Sequence, residues 1–291
     1  MHIVLGATGH VGSAVAQTLL DQDEAVTTVT HDPQKACAWQ DKGAQAAVLD
    51  VHDTEALRRV FRSGRRLFLL NPPAPPSTDT AAEERRSLAS ILAALKDSGL
   101  EKIVAQSTYG AQPGGQVGDL GVLYEMEQVL AAQAIPATII RGAYYMSNWE
   151  AALSTAREQG RVNAFYPPDF KLPMVAPEDI GQLAARLLTE PAERTGLYFI
   201  EGPGRYSPTD VATAFAATLG TPVEAAETPR GQWRQALRAM GFAEPAAESF
   251  AKMTAATLEG ASQWPEDPVR GETTLTEYIQ AMVRRQSTNQ G

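Results

Sequence analysis

The chain has 291 residues and is 44% hydrophobic, which is enough for one large domain or for a domain with a smaller appended lobe. Its 34 acidic and 25 basic side chains give a formal net charge of −9, and this argues against a nucleic-acid partner because phosphates are bound by clustered Lys and Arg. The single cysteine, Cys37, excludes an internal disulfide and a multi-cysteine metal site, and we expect it to be a packing residue.

Apolar strands alternate with helical segments through the first half of the chain. Six strands are predicted at residues 2–5, 25–30, 46–49, 66–70, 102–106 and 137–141. Helices are predicted between them at residues 11–20, 33–42, 54–62, 81–98 and 120–133. This alternation is typical of an α/β protein with a doubly wound parallel Rossmann sheet, whose ligand crevice lies at the carboxyl ends of the strands.

The second half is less regular and predicts a smaller C-terminal α/β lobe. It contains predicted helices at residues 179–189, 208–219, 231–240 and 246–259, and one strand at residues 197–200. We therefore expect a dinucleotide-binding domain at residues 1–150 and a substrate lobe at residues 151–285, of which residues 175–200 return to the first domain. Residues 286–291 are expected to be a flexible tail.

Targeting and metal signals are absent from the sequence. The first strand begins at residue 2, which leaves no room for a signal peptide, and no apolar run approaches the 18 residues of a membrane span. The histidines at positions 2, 10, 31 and 52 do not have the spacing of metal ligands. The sequence favours a cytoplasmic protein with a small-molecule substrate, without a metal and without membrane or nucleic-acid partners, and it is compatible with a homodimer.

A glycine-rich segment joins the first strand to the first helix. It reads Gly6-Ala7-Thr8-Gly9-His10-Val11-Gly12 and is called the glycine loop (residues 6–12). Its glycines allow a sharp turn and a close approach of a pyrophosphate, and the helix N-terminus offers free N–H groups to that anion. The G-x-x-G-x-x-G spacing is one residue longer than in the common dehydrogenase motif. The alternative is a tight turn whose glycines serve packing alone.

Several segments together resemble the NmrA-like group of atypical short-chain dehydrogenase/reductases. They are the glycine loop, residues 31–36 after the second strand, residues 135–141 with Tyr145-Met146-Ser147-Asn148, and residues 175–181. The similarity extends over nearly the whole chain. It implies a Rossmann fold that binds NAD or NADP. The family includes quinone and carbonyl reductases as well as members that bind the cofactor and act as redox sensors or regulators.

The residues after the second strand decide between NADP and NAD. A carboxylate there binds the ribose 2′-hydroxyl of NAD, whereas a basic residue binds the 2′-phosphate of NADP. This chain has His31, where the family commonly has Arg, and Lys35 about one helical turn later. The sequence favours NADP, with NAD as the alternative, and Asn71 and Pro72 are expected to border the cofactor ribose.

The catalytic residues of short-chain reductases are only partly present. Tyr124 lies where such a reductase has its proton-donating tyrosine, and Ser107 follows the fifth strand, where a serine holds the substrate oxygen. The residue four positions after Tyr124 is Gln128 rather than Lys. A lysine that the family often has near position 123 or 124 is also missing. Tyr124 and Ser107 are the candidate catalytic residues, and a pocket or core role for Tyr124 is the alternative.

Aromatic side chains are expected to line the crevice beside the nicotinamide. They suit a flat, apolar substrate such as a quinone, an aryl ketone or an enone, although they could equally form a core between the lobes. The predicted pocket residues are Tyr109, Tyr144, Tyr145, Met146, Asn148, Trp149, Phe165 and Tyr166.

Two functions follow from these patterns. The first is NAD(P)H-dependent reduction of a small flat carbonyl, enone or quinone by hydride transfer, and the intact glycine loop and the aromatic residues favour it. The second is a non-catalytic NAD(P)-binding redox sensor, which the missing lysine favours. A sugar-nucleotide epimerase fits poorly because such enzymes need both the tyrosine and the lysine.

Overall fold

The computed structural model describes residues 1–260 and 264–288. The strands are β1 His2–Val4, β2 Val26–Thr30, β3 Gln45–Val48, β4 Arg66–Leu69, β5 Lys102–Thr108, β6 Ala137–Gly142, β7 Tyr144–Tyr145, β8 Arg161–Ala164, β9 Leu172–Val175, β10 Gly196–Glu201, β11 Arg205–Tyr206, β12 Glu224–Glu227 and β13 Val269–Arg270. The helices are α1 His10–Asp21, α2 Pro33–Asp41, α3 Thr54–Phe61, α4 Thr80–Leu95, α5 Leu120–Ala132, α6 Leu153–Gln159, α7 Pro177–Thr189, α8 Pro208–Leu219, α9 Trp233–Ala239, α10 Glu244–Leu258 and α11 Leu275–Thr288. Short 3-10 helices cover Met146–Ala152 and Arg230–Gln232.

Eight strands form one sheet in the order β3-β2-β1-β4-β5-β6-β10-β13, and every neighbouring pair is parallel. The first six strands have the order of a Rossmann sheet, which reverses between β1 and β4. The predicted α/β fold with a doubly wound parallel sheet is therefore confirmed. The carboxyl ends of β1, β2, β4 and β5 meet at one edge, and this edge carries the glycine loop.

Each face of the sheet is covered by helices. On one face, side chains of α1, α2 and α7 form a core with members such as Val15, Trp39 and Leu187. On the other face, α3, α4 and α5 form a second core that includes Phe61 and Ile91. Because both faces are covered, the central strands β1 and β4 are buried along nearly their whole length.

The segment after the first six strands crosses between the two parts of the molecule. Helix α7 packs on α1 so closely that a Cβ on Gly181 would lie 2.3 Å from the Cβ of Ala14, and β10 pairs with β6. A separate core contains Met146, Phe215 and Tyr278 and unites the 3-10 helix, α8 and α11. The predicted boundaries at residues 150 and 285 stay a prediction.

Helix α11 is a feature that the sequence analysis missed. Leu275, Tyr278, Ile279 and Met282 follow a helical spacing and are buried in the core of the second part. The helix continues to Thr288, and the flexible tail expected from residue 286 stays a prediction. Residues 289–291 lie outside the described residues. The apolar spacing from 275 to 282 was the available signal.

Cys37 is exposed, so its prediction as a packing residue is wrong. The buried positions of α2 are Ala36 and Trp39, three residues apart on one face. Cys37 falls outside this face because successive helical residues are turned by about 100°.

In the described residues, no helix has both the length and the apolar character needed to cross a membrane. Residues 1–260 and 264–288 also contain no group of three or more His, Cys, Asp or Glu side chains placed to hold a metal ion.

Candidate cofactor and substrate site

Two glycines of the glycine loop are required by the fold itself. Gly6 has a φ of +69°, a left-handed conformation that other residues rarely adopt. Its carbonyl accepts a hydrogen bond from the Gly9 N–H at 3.0 Å. A Cβ on Gly12 would lie 2.2 Å from that same carbonyl oxygen. Gly6 and Gly12 therefore allow the turn and the close approach of α1 to it.

Gly9 is different because the fold has room for a side chain there. It is exposed, its φ is −99°, and a Cβ would make only an ordinary contact of 3.5 Å with the Gly6 oxygen. The missing side chain therefore leaves open space in front of α1. Gly9 caps α1 without a side-chain hydrogen bond, and the first turn has no acidic residue. The first-turn N–H groups and the positive helix end fit a pyrophosphate.

The other residues of the glycine loop contribute in different ways. Val11 is a core residue, 3% exposed, so it offers only its backbone to the site. Thr8 is half-buried. The His10 ring is largely exposed, with Nε2 3.5 Å from Oε2 of Glu150 on the 3-10 helix. The loop therefore presents backbone and one exposed imidazole.

The end of β2 presents two exposed basic side chains, and the nearest acid caps the helix that follows. His31 and Lys35 are exposed. Asp32 caps α2, and its Oδ1 accepts hydrogen bonds from the N–H groups of Gln34 at 2.9 Å and Lys35 at 3.4 Å. The cap holds the Asp32 carboxylate against the first turn of α2. The exposed His31 imidazole and Lys35 ammonium suit a 2′-phosphate.

Trp39 contacts the glycine loop, and the sequence analysis missed it. Its indole Nε1 donates to the carbonyl oxygen of Ala7 at 3.1 Å. The position of Trp39 on the buried face of α2 was readable from its spacing to Ala36, but the sequence carried no signal for its hydrogen-bond partner.

The loop after β4 is fastened to α4. Asn71 is buried; its Nδ2 donates to the Glu84 carbonyl at 3.0 Å, and its Oδ1 accepts from the Ser87 hydroxyl at 3.0 Å. The Glu84 carboxylate accepts the Ala74 N–H at 3.2 Å. Burial, with a smaller contribution from Asp119, raises the pKa of Glu84 to about 7. Asn71 therefore shapes this loop, and Pro72 follows it half-buried.

Ser107 lies at the end of β5 and its hydroxyl is engaged. The hydroxyl donates to Oε1 of Glu127 on α5 at 2.5 Å, and Ser107 is 1% exposed. Glu127 also forms a bidentate ion pair with Arg141 of β6, with N–O distances of 2.9 and 2.6 Å. This network joins α5 to the sheet.

Tyr124 lies one turn before Glu127 on α5. Residues three apart share a helix face, so Tyr124 is on the side of α5 that meets the sheet, nearer the carboxyl edge than Glu127. It is half-buried, whereas Gln128 is exposed. The position four residues after Tyr124 therefore provides no cation.

Two other tyrosine hydroxyls are held by buried polar groups. The Tyr109 hydroxyl donates to the buried Glu201 at 3.2 Å, and burial raises the pKa of Tyr109. The Tyr145 hydroxyl accepts a hydrogen bond from Nε2 of Gln106 at 2.9 Å, and burial raises the pKa of Tyr145 as well. Both groups remain protonated at neutral pH.

The predicted pocket aromatics separate into two groups. The Tyr144 ring contacts Trp149 at 5.9 Å and Tyr166 at 5.8 Å between centroids. Phe165 instead packs on Phe250 of α10 at 5.4 Å. Met146 and Trp149 are buried in the core of the second part, whereas Asn148 is exposed. The structure thus brings Tyr144, Trp149 and Tyr166 together and directs Phe165 elsewhere.

Comparison with known proteins identifies the family. The model of the NmrA-like family matches residues 2–278. The chain belongs to the NmrA-like family. It is 26% identical over 257 residues to an NAD(P)H azoreductase of Xenophilus azovorans, which covers 88% of this chain and 86% of the relative. It is 23% identical over 262 residues to quinone oxidoreductase 2 of Escherichia coli K12, which covers 89% of each chain.

A solved structure shares the fold of this NmrA-like chain. The triphenylmethane reductase of a Citrobacter species superposes with a TM-score of 0.82 at 21% identity, over 97% of this chain and 99% of the other. At that identity the match shows a common fold.

Proposed function

We propose that this protein is an NADPH-dependent oxidoreductase that reduces a small flat carbonyl, enone or quinone compound by hydride transfer. The observation that carries the proposal is the glycine loop. The fold does not require a glycine at position 9, yet Gly9 leaves open space before the N-terminus of α1, where no side chain accepts from the first-turn N–H groups. The named activities of the azoreductase and the quinone oxidoreductase support this class of reaction. We further propose that the reaction takes place in the cytoplasm and that the protein can form a homodimer.

The cofactor is NADP(H), held across the carboxyl edge of the sheet. The N–H groups of His10 and Val11 and the helix end bind the pyrophosphate, and His31 and Lys35 bind the 2′-phosphate. The exposed basic side chains of His31 and Lys35 after β2 support NADP over NAD. The E. coli quinone oxidoreductase, a relative of this chain, is solved with NADPH. Asn71 and Pro72 border the ribose.

NADPH supplies the hydride when bound, and the chain positions the acceptor. The substrate lies between the edge of the sheet and the second lobe, beside Tyr144, Tyr145 and Asn148. Tyr124 donates the proton to the oxygen of the reduced substrate, which completes the addition of one hydride and one proton. Because the Ser107 hydroxyl is bound to Glu127, Ser107 acts by fixing α5 and not by holding the substrate oxygen.

A cofactor-binding redox sensor is the second candidate. The observation that favours it is the exposed Gln128 where a short-chain reductase has its lysine, together with the engaged Ser107 hydroxyl. A sensor binds both redox forms of the cofactor and oxidises neither.

Turnover measurements test these two functions. The purified protein is titrated with NADPH and NADH, and the oxidation of each is followed with a panel of quinones, aryl ketones and enones. We expect tighter binding of NADPH and its oxidation with at least one flat acceptor. Tight binding of NADPH and NADP without turnover across the panel would support the sensor instead, and failure to bind either cofactor would refute both functions.

A further inference from the structure

Helix α2 contacts the glycine loop at one buried hydrogen bond. The indole Nε1 of Trp39 donates to the Ala7 carbonyl at 3.1 Å, and Trp39 is 6% exposed. No residue of the glycine loop itself contributes a side chain to this bond. The orientation of the Ala7 carbonyl is therefore set by a residue 32 positions away.

The orientation of that carbonyl also fixes a neighbouring donor. The peptide bond between Ala7 and Thr8 is planar, and the structure contains no cis peptide among its described residues. In a trans peptide the C=O and the following N–H point in opposite directions. Since the Ala7 oxygen points into the core toward Trp39, the Thr8 N–H points out of it. Within residues 1–260 and 264–288, nothing accepts a hydrogen bond from this N–H.

Lys42, the cap at the end of α2, links the Trp39 ring to α1. Its Nζ lies 4.6 Å from the centre of the Trp39 ring and donates to Oε1 of Gln17 on α1 at 3.1 Å. This exposed contact joins the C-terminal end of α2 to the helix that follows the glycine loop. Helix α2 thus begins beside the proposed 2′-phosphate site, and its seventh residue, Trp39, contacts the glycine loop.

We propose that Trp39 is a positioning residue for the cofactor, whose indole N–H orients the Ala7–Thr8 peptide so that the Thr8 N–H donates to the pyrophosphate. This inference rests on the proposed binding of NADP(H). The Thr8 N–H would be a further donor to the pyrophosphate beside those of the α1 N-terminus. Its orientation would be set by Trp39, whose side chain does not touch the cofactor.

The test removes the indole N–H while keeping an aromatic ring. Trp39→Phe is compared with Trp233→Phe, because Trp233 is also buried, also donates its Nε1 to a backbone carbonyl (Thr228, 2.8 Å) and also carries a cation on its ring (Arg230, 5.6 Å). Trp233 lies on α9 in the second part of the molecule. Binding is measured with 2′-phospho-ADP-ribose, which contains the pyrophosphate, and with adenosine 2′-monophosphate, which lacks it.

We expect Trp39→Phe to weaken the binding of 2′-phospho-ADP-ribose about three- to tenfold. The affinity for adenosine 2′-monophosphate should not change. Trp233→Phe should change neither affinity. Equal weakening of both ligands would show a general disturbance of α2 and overturn the inference, as would unchanged binding of the pyrophosphate ligand. Wild-type protein that binds neither ligand would instead refute the proposed function.

A poorly folding Trp39→Phe protein does not prevent the comparison. The ratio of two dissociation constants measured on one preparation, with ligand in excess, does not depend on the fraction of folded protein. Trp39→Leu removes the same donor with a smaller side chain and carries the same expectation for that ratio.

Discussion

The hydroxyl of Ser107 and the carboxylate of Glu127 are joined by a hydrogen bond of 2.5 Å. The carboxylate is also paired with Arg141, so it is satisfied by a hydroxyl and a guanidinium at once. A serine that holds a substrate oxygen needs a free hydroxyl, and this one is committed inside the protein. The pair therefore fastens the end of β5 to α5, one turn from Tyr124.

Loss of the Glu127 charge should destabilise the fold. Glu127→Gln leaves Arg141, whose side chain is only 17% exposed, without its counter-charge. We expect the free energy of unfolding to fall by about 2–3 kcal/mol, measured by urea denaturation. Glu125→Gln is the control, since its pair with Arg85 is about half exposed and should be worth less than about 1 kcal/mol. Equal losses in the two variants would contradict the structural role of Glu127.

Replacement of Tyr124 tests the proton donor. If the phenol protonates the reduced substrate, Tyr124→Phe should lower kcat for a carbonyl acceptor at least tenfold, which is about 1.4 kcal/mol in the barrier. NADPH affinity should not change. The control is Tyr198→Phe, because Tyr198 is half-buried on β10. Unchanged kinetics with a good carbonyl substrate would remove Tyr124 from the mechanism.

The glycine loop predicts opposite outcomes at two of its glycines. Gly9→Val should abolish NADPH binding while the free energy of unfolding falls by only about 1 kcal/mol, because the backbone conformation there is ordinary and the loss is that of a poorer helix cap. Gly12→Ala should lower the free energy of unfolding by more than about 2 kcal/mol, since its Cβ would collide with the Gly6 oxygen. Calorimetric titration and denaturation measure both quantities. Wild-type NADPH affinity in Gly9→Val would refute the pyrophosphate site.

His31 is expected to discriminate between the two cofactors. His31→Ala should weaken NADPH about tenfold and NADH little, because only NADPH has a 2′-phosphate for the imidazole to bind. His52→Ala serves as the control, since His52 is also an exposed loop histidine, after β3. Equal losses of NADPH and NADH affinity in His31→Ala would reject the contact with the 2′-phosphate.

Glu84 makes the stability of the protein depend on pH. Its pKa rises from an ordinary 4.5 to about 7 on folding, so the folded state holds the proton more tightly. The resulting stabilisation, about 3 kcal/mol, is complete below the unfolded pKa and is lost as the pH rises through about 7. Glu84→Gln should flatten this part of the curve of unfolding free energy against pH. Glu83→Gln, on the same helix, should leave the slope unchanged.

Local patterns predicted the first half of the fold well. The strand at residues 102–106 corresponds to β5, and the helix at residues 120–133 to α5, because each is marked by a continuous apolar run or a helical spacing. The glycine loop was readable for the same reason, since its strand, turn and helix are contiguous. Asp53 caps α3, a local contact in which its carboxylate accepts the Ala56 N–H.

Contacts between distant segments could not be read in this way. Asp179 lies in the first turn of α7, where an acid often caps, yet Ala176 is the cap and the Asp179 carboxylate binds Thr273. The bond of Trp39 to Ala7 and the pairing of Val269–Arg270 with β10 also join residues far apart in the chain. Such partners depend on tertiary packing, and the spacing of apolar residues along a single sequence does not reveal them.

The close contact between Gly181 and Ala14 has a consequence for biosynthesis. Helix α7 covers part of the apolar face of α1, but Gly181 is synthesised more than 160 residues after Ala14. By then the ribosome has also synthesised most of the strands of the sheet. Until α7 has been synthesised, the part of the apolar face of α1 that it covers is exposed to solvent in the nascent chain. A chain truncated after β6 would contain the complete glycine loop but would lack α7, which covers the apolar face of α1. We expect such a product to be bound by chaperones through this exposed apolar face before it can bind the cofactor.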